Sequence, residues 1–130
     1  DASDRTLSTL QMPPFLTHLD LSGCERVKGA GLAGLTHLTN LTELSLDRCR
    51  VAGAALAHIK HLTALTQLSL ACGTFTSDDL QSLMGLTRLC SLNLLWCEVG
   101  DSALETLSCL PNLTSLGLGD HEGVTNNGLA

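Results

Sequence analysis

One pattern of leucines recurs along this sequence every 24 or 25 residues. Each copy has leucine at its first, fourth and sixth positions, and the first leucines are Leu16, Leu41, Leu65, Leu89 and Leu113. A fixed period of this length predicts one strand-and-helix unit stacked on copies of itself, because a single unit is too small to bury its own leucines. The repeat therefore predicts the fold and the core together.

The first half of each copy predicts a strand. In Leu41-x-x-Leu44-x-Leu46 the last two leucines alternate with a polar residue, which is typical of a half-buried strand. Equivalent leucines of successive copies should lie side by side in one interior row, as we expect for Leu44, Leu68 and Leu92.

The second half of each copy predicts a short helix. Its apolar residues follow one another at intervals of three, as in Leu56, Ile59 and Leu62, which places them on one buried stripe. We expect Asp78 or Asp101 to cap the start of such a helix.

Three cysteines stand at the equivalent position after the leucine pattern, namely Cys24, Cys49 and Cys97. The pattern resembles the cysteine-containing leucine-rich repeats of F-box substrate receptors. Segments 39–46 and 62–68 are also similar to mixed-type bacterial or algal repeats. Gly73 and His121 depart from the pattern by replacing the cysteine. The resemblance implies an α/β fold, a right-handed leucine-rich repeat solenoid with parallel strands on the concave face and short helices on the convex side.

The copies divide the chain into one array of about five repeats. Leu7 and Leu10 reproduce the spacing of later helix residues, and Val124 and Leu129 open another copy, so we expect an array truncated at both ends. The expected segments are 1–15 (the end of a preceding repeat), 16–40, 41–64, 65–88, 89–112 and an incomplete 113–130.

The amino-acid composition limits the classes of binding partner that we expect. The chain has 44% hydrophobic residues, but no apolar run is long enough for a membrane helix. A net charge of -6 with only 7 basic residues argues against a nucleic-acid backbone as the partner. We therefore expect a protein partner, no nucleic acid and no membrane, with the chain as a monomer or as part of a larger complex.

The six cysteines do not form the clusters that are typical of disulfide-stabilised caps. We interpret Cys24, Cys49 and Cys97 as reduced packing residues, which implies a cytoplasmic, reducing location. The triplets at Asn40 and Asn112 match the N-glycosylation pattern of secreted proteins. We favour the other interpretation, that both triplets belong to the repeat itself.

Candidate binding residues are the side chains between and after the strand leucines, which face away from the core. Leu95 and Trp96 are not required by the buried alternation and have the composition of an interface anchor. The earlier copies place charged residues there, so we expect an apolar anchor beside a charged rim. The candidate partner-binding residues are His18, Asp20, Glu43, Asp47, Arg48, Cys72, Asn93, Leu95, Trp96 and Asp120.

Each of these residues also has a simpler interpretation. Trp96 could pack sideways against a neighbouring loop instead of contacting a partner. The charged residues could form an ordinary solvated face. Both alternatives remain open at the level of the sequence.

Catalytic and metal sites have little support. Ser22, His18 and Asp20 are the right residue types for a hydrolytic triad, but the sequence shows no nucleophile elbow or oxyanion site. His58 and His61 are three apart on a predicted helix, yet the helices should diverge too far to close a four-ligand shell. No phosphate-binding loop or dinucleotide fingerprint occurs. We expect no enzyme activity, no metal and no cofactor.

The favoured function is a protein-binding scaffold, and the F-box resemblance implies substrate recognition for a ubiquitin ligase. The alternative is a structural repeat segment of a larger assembly or multidomain protein, with no binding activity of its own.

Overall fold

The computed structural model describes residues 2–119 and contains one parallel sheet of five strands in sequential order. Each repeat contributes one short strand of 3 or 4 residues. The strands are β1 (His18–Asp20), β2 (Glu43–Ser45), β3 (Gln67–Ser69), β4 (Ser91–Leu94) and β5 (Ser115–Leu118).

The register of this sheet confirms the predicted interior row. Leu44 pairs with Leu68, and Leu68 pairs with Leu92. Their exposed fractions are only 2%, 2% and 1%. Burial of a leucine side chain stabilises a fold by about 1.5–3 kcal/mol, so these stacked rows are the main source of stability. The chain thus has the α/β leucine-rich repeat solenoid fold.

Short helical segments cover the other side of the sheet. Several contain 3-10 turns, in which residues three apart lie above one another, and this geometry suits the spacing of the buried apolar residues. The segments are α1 (Asp4–Thr9), a 3-10 helix (Ala30–Leu35), a 3-10 turn (Gly53–Ala55) continued by α2 (Leu56–Ile59), α3 (Ser77–Leu80) continued by a 3-10 turn (Gln81–Leu83), and α4 (Asp101–Leu107).

The prediction that Asp78 or Asp101 caps a helix is wrong. Thr76 is the N-cap of α3 and forms a reciprocal capping box with Asp79, whose carboxylate accepts from the Thr76 N–H at 2.7 Å. Gly100 precedes α4. Both predicted aspartates lie inside the first turn, where a negative charge still favours the helix N-terminus.

Helix α1 packs against the 3-10 helix Ala30–Leu35 and buries Leu7. Leu10 does not follow the expected pattern, because α1 ends at Thr9 and the Leu10 side chain is 51% exposed.

The two asparagine triplets are built into the stack. The amide of Asn40 donates to the Pro14 carbonyl at 3.4 Å, and that of Asn112 donates to the Thr87 carbonyl at 2.6 Å. The Thr42 hydroxyl likewise donates to the carbonyl of the preceding repeat, at 3.1 Å. These contacts give both triplets a structural role that repeats with the fold.

Two of the three cysteines that follow the leucine pattern have the packing role expected from the sequence. Cys49 Sγ donates to the Leu21 carbonyl and Cys97 Sγ donates to the Leu70 carbonyl, each at 3.1 Å. Burial raises the pKa of both thiols to about 11. The two side chains therefore link adjacent repeats as neutral thiols.

Across residues 2–119, no helix is long and apolar enough to cross a membrane.

Candidate functional site

The concave face is the exposed face of the sheet together with the turns that follow each strand. Equivalent residues of successive repeats form columns on this face, and the first column is His18, Glu43, Gln67, Ser91 and Ser115. It begins with a contact in which His18 Nε2 lies 3.1 Å from Glu43 Oε1. The same carboxylate oxygen accepts from the Gln67 amide at 3.2 Å. These contacts link three neighbouring repeats along one row of polar side chains.

Side chains of the second column bond to the turns after the strands. This column is Asp20, Ser45, Ser69, Asn93 and Gly117. Asp20 accepts a hydrogen bond from the Ser22 N–H at 2.9 Å, and Asn93 accepts one from the Leu95 N–H at 3.0 Å. Hydrogen bonds from the Ser22 hydroxyl and N–H hold the pKa of Asp20 below its ordinary value. Asp20 and Asn93 therefore shape the turns that carry the next residues.

Asp47 supports the turn of the following repeat. Its Oδ1 accepts from the Ala71 N–H at 2.9 Å and from the Ser69 hydroxyl. Ser69 in turn accepts from the Asn93 amide at 2.9 Å. Asp47, predicted as a partner-binding residue, thus has internal partners for one of its two carboxylate oxygens.

The residues that stand three positions after the second column, which we call the fourth column, share an unusual backbone conformation. Gly23, Arg48, Cys72 and Trp96 have positive φ angles of 78°, 56°, 66° and 60°. This left-handed conformation suits glycine, but it costs roughly 1–2 kcal/mol for a residue with a Cβ. The conformation thus holds three non-glycine side chains in strained turns at the edge of the concave face.

Sequence reasoning missed this shared conformation. The available signal was Gly23, which stands in the same column as the other three residues. A glycine at a turn often indicates a positive φ, and the repeat extends that inference to the equivalent positions.

These strained turns border a groove of about 500 Å³ on the concave face, which we call the anchor groove. Trp96 is 68% exposed and Leu95 is 37% exposed. Among residues 2–119 the Trp96 side chain is therefore largely open to solvent, and its contact with a partner stays a prediction. Ala71 is buried beneath the groove, whereas Cys72 and Arg48 are exposed. The lining residues are Ser22, Gly23, Asp47, Arg48, Ala71, Cys72, Asn93, Leu95 and Trp96.

A second groove of about 510 Å³ lies over the first two columns, and its lining combines polar side chains such as His18 and Glu43 with three strand leucines. The structure therefore brings the predicted residues together on one face, with the charged ones toward β1 and Trp96 toward β5. Asp120, the remaining candidate, lies outside the described residues.

The hydrolytic triad is not assembled. His18 contacts Glu43 and the Thr17 hydroxyl, the latter at 2.7 Å, while Asp20 bonds to the turn at Ser22. In the described part of the chain, no group of three or more His, Cys, Asp or Glu side chains is arranged to hold a metal ion.

Comparison with known proteins agrees with the fold. A family model described as "Leucine Rich repeat" matches residues 13–35. The chain is similar to the crystal structure of internalin C2 from Listeria monocytogenes, with a TM-score of 0.74 and 26% sequence identity over 90% of this chain and 48% of that one. It is also similar to the internalin InlF of the same organism, with a TM-score of 0.74 and 27% identity over 90% of this chain and 32% of that one. The chain thus spans about half the length of the first relative and a third of the second.

Proposed function

We propose that this chain is a protein-interaction scaffold that binds a protein partner in the anchor groove. The observation that carries the proposal is the exposure of Trp96, 68%, at the edge of a groove that also exposes Leu95. Tryptophan is among the residues most enriched at the energetic centres of protein interfaces. The similar repeat structures are consistent with a scaffold of this kind.

The backbone conformation supports the same surface. Arg48, Cys72 and Trp96 adopt positive φ angles although glycine would adopt them with less strain. Strain of this kind clusters at ligand-binding sites, where surrounding structure holds the side chain in place. Strands in the sheet lie about 4.8 Å apart, so the three side chains present one continuous row to a partner.

The charged residues have a different role in the proposal. His18 and Glu43 contact each other across neighbouring repeats, and Asp20 bonds to the turn of its own repeat, so we assign these three residues to the rim. Asp47 and Asn93 support the turns from below. Rim charges affect association rate and specificity more than affinity.

A pull-down with chemical crosslinking tests the proposal. Proteins that are captured by the unmodified chain should be lost with Trp96→Ala. They should be retained with Phe15→Ala, a matched control because Phe15 is 75% exposed but does not line the anchor groove. A photo-crosslinking residue in place of Leu95 should label the same proteins. Equal capture by all variants would refute the assignment of the groove.

A narrower form of the proposal is that the partner is a substrate of a ubiquitin ligase, in a reducing intracellular compartment. The cysteine positions support this form, since Cys49 and Cys97 stand at the repeat position that gives the sequence its resemblance to the cysteine-containing repeats of F-box receptors. The test is whether a captured partner becomes ubiquitinated in a cell extract only when this protein is present. No captured partner at all would favour the structural alternative, in which the array serves only as a spacer.

A further inference from the structure

A second candidate surface lies at the N-terminal end of the array, where the start of α1 meets the turns after β1 and β2. It is an open groove of about 510 Å³. We call it the basic groove because it contains 4 of the chain's 7 lysine and arginine residues, although the net charge of the chain is -6. The lining residues are Ser3, Asp4, Arg5, Glu25, Arg26, Lys28 and Arg50.

The Asp4 carboxylate in the basic groove accepts hydrogen bonds from the backbone. Asp4 Oδ1 accepts from the N–H groups of Lys28 at 3.0 Å and Gly29 at 3.2 Å. Burial alone would raise the pKa of Asp4, but hydrogen bonds from the backbone outweigh burial and hold the pKa below its ordinary value. Asp4 therefore stays ionised while its oxygen is used to join α1 to the next repeat.

The Glu25 carboxylate leaves most of the positive charge available. Glu25 lies 3.9 Å from Arg50, and both side chains are more than 70% exposed, so water screens this pair strongly. Within residues 2–119, no carboxylate lies within ion-pair distance of Arg5, Arg26 or Lys28, although the Lys28 charge also helps to lower the pKa of Asp4. All three side chains are exposed.

We propose that the basic groove binds an acidic peptide segment of a protein partner. Three of its four cations are arginines, whose planar forks bind carboxylates through paired hydrogen bonds. A peptide fits better than a nucleic acid, because the groove is short and because the negative chain repels a long polyanion. The proposal does not depend on the anchor groove, since the two grooves share no lining residue.

A fluorescein-labelled oligoglutamate peptide is the probe, with binding followed by fluorescence anisotropy in the full chain. The peptide should bind at low salt, and its binding should weaken as the salt concentration rises, because the charged groups of the groove and of the peptide are exposed to solvent. Arg26→Glu combined with Lys28→Glu should weaken binding by about tenfold or more.

The matched control is Lys60→Glu combined with Arg88→Glu, which makes the same charge change at exposed sites outside the groove. The control should bind nearly as well as the unmodified chain. Equal losses in both double variants would overturn the proposal, because the effect would then follow net charge alone. Tighter binding of an oligonucleotide of equal charge would overturn the assignment of the ligand as a peptide.

Two further measurements keep the test decisive. Urea unfolding shows whether the variant with Arg26→Glu and Lys28→Glu is folded. If it is not folded, Arg26→Gln takes its place and should also weaken oligoglutamate binding. Trp96→Ala should leave oligoglutamate binding unchanged even if it abolishes partner capture, so a failure of one proposal does not imply a failure of the other.

Discussion

The phenyl ring of Phe75 occupies the space that a side chain at position 73 would need. A Cβ built on Gly73 would lie 2.2 Å from Phe75 Cε2, a distance that real atoms do not tolerate. The neighbouring repeats have Cys49 with Val51, and Cys97 with Val99, at the equivalent positions. The larger ring and the missing cysteine side chain therefore compensate for each other in this repeat.

This relationship predicts a double-mutant result. Gly73→Cys should destabilise the fold by about 1–3 kcal/mol through overpacking, and Phe75→Val should also destabilise it because it leaves a cavity. The combined variant restores the pair found in the neighbouring repeats and should be more stable than the sum of the two changes. Urea unfolding measures the coupling, and simple additivity would contradict the compensation.

Asp47 should be important for stability because it supports the turn of the following repeat. Asp47→Ala removes the acceptor for the Ala71 N–H and the Ser69 hydroxyl and should cost about 1–3 kcal/mol. Asp47→Asn keeps a carbonyl oxygen in the same place and should cost less. Hydrogen exchange at the Ala71 amide checks the mechanism, since this amide should lose protection in the alanine variant but retain much of it in the asparagine variant.

The strained turns predict an unusual preference for glycine over alanine. At Arg48, Cys72 and Trp96, substitution by glycine should give a more stable protein than substitution by alanine, by about 1 kcal/mol. Elsewhere in a repeat protein the order is normally the reverse, because glycine adds entropy to the unfolded chain. Thermal unfolding of the paired variants tests the prediction, and Ser45, which has no positive φ, supplies the control position.

The buried thiols predict a loss of stability at alkaline pH. Cys49 and Cys97 have their pKa raised from 9.0 to about 11 in the folded protein. Unfolding lets these thiols ionise near their lower ordinary pKa, so their contribution is complete below about pH 9 and falls as the pH rises toward 11. Urea unfolding across this range should show the decline, and Cys49→Ala combined with Cys97→Ala should have a smaller pH dependence.

The lowered pKa of Asp4 predicts a loss of stability at acid pH. Because its pKa is lowered in the folded state, Asp4 stabilises the junction of α1 with the next repeat above its ordinary pKa. This contribution is lost as the pH falls through the lower, folded pKa. Asp4→Asn should reduce the acid dependence of unfolding, which urea unfolding at a series of acidic pH values measures.

The sequence predicts the buried side of this fold well, because burial follows periodicity. In the inner repeats, the leucines at alternate strand positions and the apolar residues three apart on the helices are buried where the pattern places them, as Leu44 and Leu56 illustrate. In the outer strands, Leu19 and Leu116 are only half-buried. Chain ends are harder to predict, since Leu10 has the spacing of a buried residue but follows the end of α1.

The exposed side is less predictable, because its geometry depends on contacts between repeats. The turn at Arg48 is held by a hydrogen bond from its N–H to the Ala71 carbonyl, at 3.0 Å, in the next repeat. Asp47 is likewise oriented by Ser69 and Ala71, which lie more than 20 residues away in the chain. The residue types on this face were evident from the sequence, but their partners and backbone strain required the structure.

Three successive units, 41–64, 65–88 and 89–112, have equal length, and their strands pair only equivalent residues. Excision or duplication of one whole unit would therefore join matching surfaces without a register shift. Such an event would move Trp96 one rung nearer to or farther from Arg48, about 4.8 Å each time. Recombination could thus adjust the reach of this protein in discrete steps while the interior stays the same.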